Sequence, residues 1–397
     1  MSPTPPRRPA AAAPRLFDVR LPALTLVRGG TAEPHVARGF WWGPEADLPA
    51  LEARTHLLSE TAQRHAEAQE PVRRNGTPLS FLGAVAPEFD EDVPTVLVVH
   101  ALTGDARAGG PGGWWEPLVG PGRALDPSHV RILCFSHLGS CYGSTGPLDS
   151  GFPERAELTS WDIARALLLA VEALGLKRLA LVTGGSLGGM VSLCVGALGG
   201  ARVERLLPLA AAASSSAWVL AWNHVQRAIL KLDAGWPDDV GRGLELARQV
   251  AMLTYRAEKG LEAKQGRGQP AEPGSPLPYR VHGWLEHQGQ KLRRRFDARA
   301  YLLQADAMDH HDLGNLPPGV AAGPIVASSL VVDVDTDQLF TAVQVEALAD
   351  KLRADGAHVE RATLRSAYGH DAFLIEWEAL TGLLKRALCL PAGGRDA

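Results

Sequence analysis

Gly184-Gly185-Ser186-Leu187-Gly188-Gly189 sets one serine among glycines, directly after the apolar run 179–183 and before a stretch with helical patterning. A strand that turns sharply into a helix holds such a serine in a strained backbone geometry that small neighbours must permit. Its hydroxyl then stands above the sheet edge as a nucleophile. G-x-S-x-G alone is a weak pattern, and the strand–turn–helix context makes it specific. A serine hydroxyl is a poor nucleophile near neutral pH, so it needs a histidine to take its proton and an acid to orient and stabilise that histidine. The expected chain order for this arrangement is serine, acid, histidine. Of the 13 histidines, His370 in Ser366-Ala367-Tyr368-Gly369-His370-Asp371 follows the last short strand signal and opens the final helix. His310 and His311 precede the last strands and read as polar surface, and His358 reads as solvated.

The acid should stand just past the strand signal at 325–334, where Asp333, Asp335 and Asp337 lie. Asp333 falls in the strand itself, and position alone divides the role evenly between Asp335 and Asp337. Two backbone N–H groups must stabilise the oxyanion formed when Ser186 attacks a carbonyl. One belongs to the residue after the nucleophile, Leu187. The other comes from the loop after an earlier strand, here residues 100–104, with Leu102 as the candidate. His100, at the strand end, reads as a packing residue.

The elements that must position these groups follow from the apolar pattern. Continuous apolar runs at 95–100, 130–135, 179–183 and 203–209 fit strands buried on both faces of a largely parallel sheet. Between the second and third, residues 158–174 show helical periodicity, with Thr159 or Ser160 as cap and Gly175 as stop. Alternating strand and helix predicts a doubly wound sheet. Residues 16–42 read as antiparallel edge strands. From 217 to 312 strand signals vanish, which predicts an inserted helical lid broken by a loop around 265–278. The expected organisation is a disordered tail at 1–15, a first core part at 16–216, the lid at 217–312 and a second core part at 313–397.

Composition narrows the partners. A net charge of −4 over 397 residues gives no basic stripe for nucleic acid or an anionic membrane. No run of about eighteen apolar residues supports a membrane span, and the start of the chain is too proline-broken for a signal peptide's apolar region. Cys134, Cys141, Cys194 and Cys389 are scattered and form no metal-ligand spacing, so a reduced, cytoplasmic protein without metal or tightly bound cofactor is expected.

Longer blocks carry a more specific resemblance. His100-Ala101-Leu102-Thr103-Gly104-Asp105, Gly113-Trp114-Trp115, the segment from Leu138 to Pro147, Gly184 to Met190, His287-Gln288-Gly289-Gln290-Lys291 and Asp306-Ala307-Met308-Asp309 resemble the homoserine O-acetyltransferase family, as do the Asp337 and His370 segments. The resemblance runs from about 16 to 385. It implies the α/β-hydrolase fold with a helical lid, and a two-step transfer of acetyl from acetyl-CoA, through Ser186, to the hydroxyl of L-homoserine in methionine synthesis. It selects Asp337 as the acid. It also implies that Arg227 holds the amino acid's carboxylate, Asp371 its ammonium, and Thr103 a further substrate contact, and that a homodimer forms through the lid. This sequence departs from the family pattern at Ser140, at Leu187, and in the segment 232–237, which lacks the Gly-Asp-Tyr that usually follows. Alternatives are succinyl-CoA as donor, L-serine as acceptor, a plain esterase or thioesterase, and a silent scaffold, against which the complete Ser/Asp/His set argues.

Overall fold

The structure, a computed structural model, describes residues 11–33, 35–59, 62, 66, 68, 69, 71, 72, 87–268 and 279–393. Apolar runs bounded by turn residues become the strands. In chain order they are β1 (Arg15–Leu21), β2 (Leu24–Thr25), β3 (Thr31–Ala32), β4 (His35–Trp42), β5 (His56–Leu57), β6 (Thr95–Val99), β7 (Arg131–Phe135), β8 (Leu181–Gly185), β9 (Arg205–Leu209), β10 (Ser328–Val334) and β11 (Val359–Leu364). Nine of them form one sheet in the order β11-β10-β9-β8-β6-β7-β4-β1-β5, while β2 and β3 pair separately. From β11 to β7 all neighbours are parallel, and β4, β1 and β5 add an antiparallel edge.

Alternate residues of the central strands feed two cores. Leu97, Val99 and Leu133 enter one, and Val96, Val98 and Ile132 the other. That is the two-residue period of a strand covered on both faces. The helices doing the covering include α1 (Leu48–Arg54), α2 (Ser160–Ala173) and α3 (Leu187–Gly199). Thr159 caps α2 in a reciprocal box with Asp162, which satisfies N–H groups that the first helical turn would leave bare. Between β9 and β10 the chain builds α4 (Ala217–Lys231), α5 (Arg242–Tyr255), α6 (Glu258–Lys264), α7 (Arg280–Arg295) and α8 (Ala298–Asp309), and α9 (Ala342–Ala354) and α10 (Trp377–Leu388) complete the fold.

Two expectations change. Residues 1–10 of the expected tail lie outside the described residues, as do 269–278 of the expected lid loop. Residues 11–15, however, join the body: Ala11 bridges Pro44, the Ala12 N–H donates to the Gly43 carbonyl (3.0 Å), and β1 starts at Arg15. Proline-rich composition concealed that edge pairing. The strand expected at 179–183 runs instead from 181 through Gly184 and Gly185. A Cβ on Gly184 would lie 2.3 Å from the Val99 carbonyl oxygen, so only glycine lets β8 approach β6 there.

The strand order creates the functional edge. After β6 the chain moves one way to β7, then returns to place β8 on the other side of β6. Loops leaving the carboxyl ends of β6 and β8 therefore diverge and open a crevice, where such sheets bind ligands. Ser186 follows β8, and residues 100–104 follow β6.

Candidate active site

Ser186 sits at φ 59°, ψ −127°, outside the comfortable region for a side-chain-bearing residue. The turn is over-determined. The Ser186 N–H donates to the Leu209 carbonyl (2.9 Å), and the Ser186 carbonyl accepts from the Met190 N–H (3.0 Å). A Cβ on Gly188 would be 2.2 Å from the Val99 carbonyl oxygen, so the first turn of α3 presses on β6. These contacts force the serine into the crevice.

Asp337 and His370 meet there. Nδ1 of His370 lies 2.7 Å from Oδ2 of Asp337, and the other oxygen accepts the N–H groups of Leu339 (2.7 Å) and Phe340 (3.1 Å). Those bonds fix the carboxylate, which in turn fixes Nδ1 as the protonated ring nitrogen. Nε2 of His370 is buried and has no hydrogen-bond partner among the described residues, Ser186 Oγ included. Its lone pair is thus available for a proton. The ring packs between Tyr255, Phe340 and Phe373 at centroid distances of 5.7, 5.3 and 5.5 Å. Burial pushes its pKa down, but Asp337, by charge and hydrogen bond, and Asp371 outweigh it, so the net shift is upward.

The tie between Asp335 and Asp337 is broken by geometry. Asp335 accepts the Ser366 N–H (3.0 Å), and Asp333 is engaged by Arg361 (3.0 Å) and Thr363 (3.2 Å). Leu102 and Leu187 are buried at the crevice, on the β6 loop and at the first position of α3. A helix's first N–H groups have no partner within the helix, which leaves the Leu187 N–H available to an oxyanion.

The substrate residues implied by resemblance are already engaged. Nη2 of Arg227 donates to Asp306 (2.8 Å) and Asp309 (2.7 Å), while Asn223 holds the other oxygen of Asp309 (2.7 Å). Nε and Nη1 of Arg227 donate to nothing among the described residues, but both paired-donor edges of the guanidinium run through Nη2, which is already engaged. Asp371 pairs with Arg256 (3.1 Å). The Thr103 carbonyl accepts from Nη1 of Arg295 (2.6 Å), with Nη2 3.5 Å from its hydroxyl. Arg256 and Arg295 were missed by sequence reasoning: each is one arginine among many in the lid, with no motif to mark it.

A second serine–histidine contact has a different character. Ser160 Oγ is 3.0 Å from Nδ1 of His311, whose Nε2 is 3.1 Å from the Ala212 carbonyl oxygen rather than a carboxylate. Both residues are buried in the core, which corrects the expectation that His311 lies on the polar surface. A cavity of about 560 Å³ is also remote: Thr95, Arg131 and Arg205 line it at the opposite, amino ends of the strands.

The sheet order, the strained serine and the His370–Asp337 pair define the class. The family described as alpha/beta hydrolase fold matches residues 94–375. Esterase E22 superposes with a TM-score of 0.71 at 18% identity, covering 96% of this chain and all of that one. Homoserine O-acetyltransferase from Staphylococcus aureus gives 0.68 at 24% identity, with 95% and 96% covered. At such identities these two establish the fold. The finer assignment comes from sequence: homoserine O-acetyltransferase of Thermus thermophilus is 40% identical over 319 residues, 73% of this chain and 80% of the relative. The chain belongs to the homoserine O-acetyltransferase family of acyltransferases.

Proposed function

We propose that the protein transfers acetyl from acetyl-CoA to the side-chain hydroxyl of L-homoserine, the activation step of methionine synthesis, through an acetyl-Ser186 intermediate. The observation that carries this reading is the strained Ser186 together with a His370 whose Nδ1 is held by Asp337 and whose Nε2 is unpartnered, with Phe373 packed both on that ring and against Gly185. Ser186 Oγ attacks the thioester carbonyl as Nε2 of His370 takes its proton. The oxyanion rests on the N–H groups of Leu102 and Leu187. On collapse the C–S bond breaks, and the CoA sulfur leaves with the proton from His370. The homoserine hydroxyl then attacks acetyl-Ser186, His370 takes that proton, and the serine oxygen departs with it. The steps balance without a metal or a resident cofactor.

Nε and Nη1 of Arg227 leave single N–H donors for the acceptor carboxylate, and a paired grip would need Nη2 to release Asp306 or Asp309. Asp371, next to the base, would take the ammonium by exchanging Arg256 for it, and Thr103 would contact the same substrate. A second reading, hydrolysis, is favoured by one observation: Arg227 and Asp371 are both already ion-paired. The deciding assay follows thiol release from acetyl-CoA and succinyl-CoA, with L-homoserine, L-serine or no acceptor, on wild type and Ser186→Ala. Turnover that requires acetyl-CoA, homoserine and Ser186 supports the reading. Preference for succinyl-CoA or serine moves it within the family, and equal turnover without acceptor makes the protein a hydrolase.

Homodimerisation through the lid belongs to the same proposal. Trp218, Val225 and Leu232 recur every seven residues along α4 and just beyond it, and Leu246 and Leu253 do so on α5, all of them exposed. Such a seam suits a second copy of the same helices. Four free cysteines suit a cytoplasmic setting, and no helix among the described residues is long and apolar enough to cross a membrane.

A further inference from the structure

We propose that the phosphate groups of the CoA donor dock on a cationic shelf made by α6, the start of α7 and the loop that carries His370. The inference rests on the acetyl-CoA reading above and adds a binding site to it.

α6 is seated directly on the catalytic loop. A Cβ on Gly260 would lie 1.9 Å from the Ala367 carbonyl oxygen, and one on Gly369 would lie 2.6 Å from the Ala257 amide nitrogen. Glycine at both places lets the two backbones touch. The shelf is therefore anchored within a few residues of the base.

Three of its cations have no carboxylate partner among the described residues. Three other lid arginines are matched, Arg242 with Glu286 and Glu245, Arg293 with Glu245, and Arg227 with Asp306 and Asp309, whereas Arg248 lies over Tyr255 and Arg295 donates to Thr103. Lys264, Arg267 and Arg280 pair with no carboxylate among the described residues. Instead, the Lys264 ammonium stands 4.4 Å from the centroid of the Tyr368 ring, and the Arg267 guanidinium 5.4 Å from that of Tyr279. Arg280 closes the group: its N–H donates to the Gly268 carbonyl (3.0 Å), and a Cβ on Gly268 would sit 3.5 Å from its guanidinium carbon. Glu258 and Glu262 stand on the same helix and pair with none of these cations. Lys264, Arg267 and Arg280 bring three positive charges together without a direct ion pair among the described residues, and an arriving anion relieves their mutual repulsion.

A groove focuses the shelf. Arg256, Leu261, Lys264, Trp284 and Tyr368 line a space of about 70 Å³. Arg256 leans over Tyr368 at 6.0 Å, and its Nε is buried with no hydrogen-bond partner. The space is far below the several hundred Å³ that enclose a whole organic ligand. It therefore seats one polar head group, with the remainder lying over the open cations. A multiply charged phosphate ester on a long, flexible thiol arm fits: the charged end lies on the shelf, and the loop beneath it carries His370, toward which the arm would extend. Lysine and arginine both bind phosphate well, arginine through paired donors.

The test compares CoA with pantetheine, which keeps the thiol arm and lacks the phosphates and nucleotide. Affinities are measured by titration calorimetry on Ser186→Ala, and on Ser186→Ala carrying Lys264→Ala with Arg280→Ala, or Lys264→Arg alone. We expect CoA to bind at least about tenfold tighter than pantetheine. That advantage should shrink about tenfold in the charge-removed protein and with added salt, while pantetheine affinity stays constant and Lys264→Arg keeps the advantage. Equal affinities for CoA and pantetheine, an advantage untouched by charge removal, or parallel weakening of both ligands would each overturn the proposal. The two readings fail separately. CoA held by these cations without transfer to homoserine would refute only the acceptor assignment, and normal transfer with charge-insensitive CoA binding would refute only the shelf.

Discussion

His370 is where chemistry and electrostatics meet, and its environment sets a pH signature. Burial lowers its pKa, but Asp337 and Asp371 raise it further than burial lowers it. Because only the neutral ring accepts the Ser186 proton, kcat/KM should fall on the acid side with a midpoint above the ordinary histidine value of 6.5. A pH profile with its midpoint well below 6.5, or flat through the range, would contradict the assignment. Asp337→Asn removes the charge and permits the wrong tautomer, so kcat should drop by about 10⁴ with the melting temperature nearly unchanged. Asp335→Asn, whose carboxylate accepts the Ser366 N–H and no other donor among the described residues, should stay within a few-fold of wild type by the same assay. Spacing alone did not separate these two residues; only the family resemblance selected Asp337. Spacing placed both in the loop, and only the backbone path after β10 turns one of them toward the ring.

At the scale of elements, the strained serine turn was legible because its constraint is local. A serine forced to positive φ between a buried strand and a helix needs small residues on either side, and those residues are written consecutively. Gly188→Ala would set a Cβ 2.2 Å from the Val99 carbonyl oxygen, so β6 and α3 must separate. We expect a loss of roughly 1–3 kcal/mol in urea unfolding, together with reduced acylation. Wild-type stability in this variant would mean that the turn is less tightly held than its geometry implies. The lid partners were not legible for the opposite reason. Arg256 with Asp371, and Arg295 with Thr103, are separated by more than a hundred residues, and no periodicity ties a lid arginine to a core loop. The family resemblance named Arg227, Asp371 and Thr103 as substrate contacts, but it did not reveal that each already has a protein partner. The tail likewise hid its pairing, because a single bridge from Ala11 to Pro44 leaves no alternating pattern.

The whole molecule carries buried neutral histidines outside the triad. Burial lowers the pKa of His100 and of His311 to about 4. The unfolded chain binds protons there from about pH 6.5 downward, whereas the folded chain does not until about 4, so folding stability is full above 6.5 and declines as pH falls through that window. Differential scanning calorimetry should show the melting temperature decreasing from pH 7 to 5, and a constant value would contradict the burial of these rings as neutral groups. The exposed apolar seam on α4 and α5 makes a second whole-molecule prediction. Leu232→Glu with Val225→Glu should convert a dimer to a monomer by light scattering, and a wild type already monomeric at micromolar concentration would refute the seam's role. The central claim, that Ser186 carries the acetyl group between two substrates, is tested most directly by mass spectrometry of the protein quenched after mixing with acetyl-CoA alone. The account predicts one acetyl group on the peptide containing Ser186, absent in Ser186→Ala and discharged to O-acetylhomoserine when L-homoserine is added. An unmodified Ser186 peptide during active turnover, or an acetyl group that homoserine cannot remove, would contradict it.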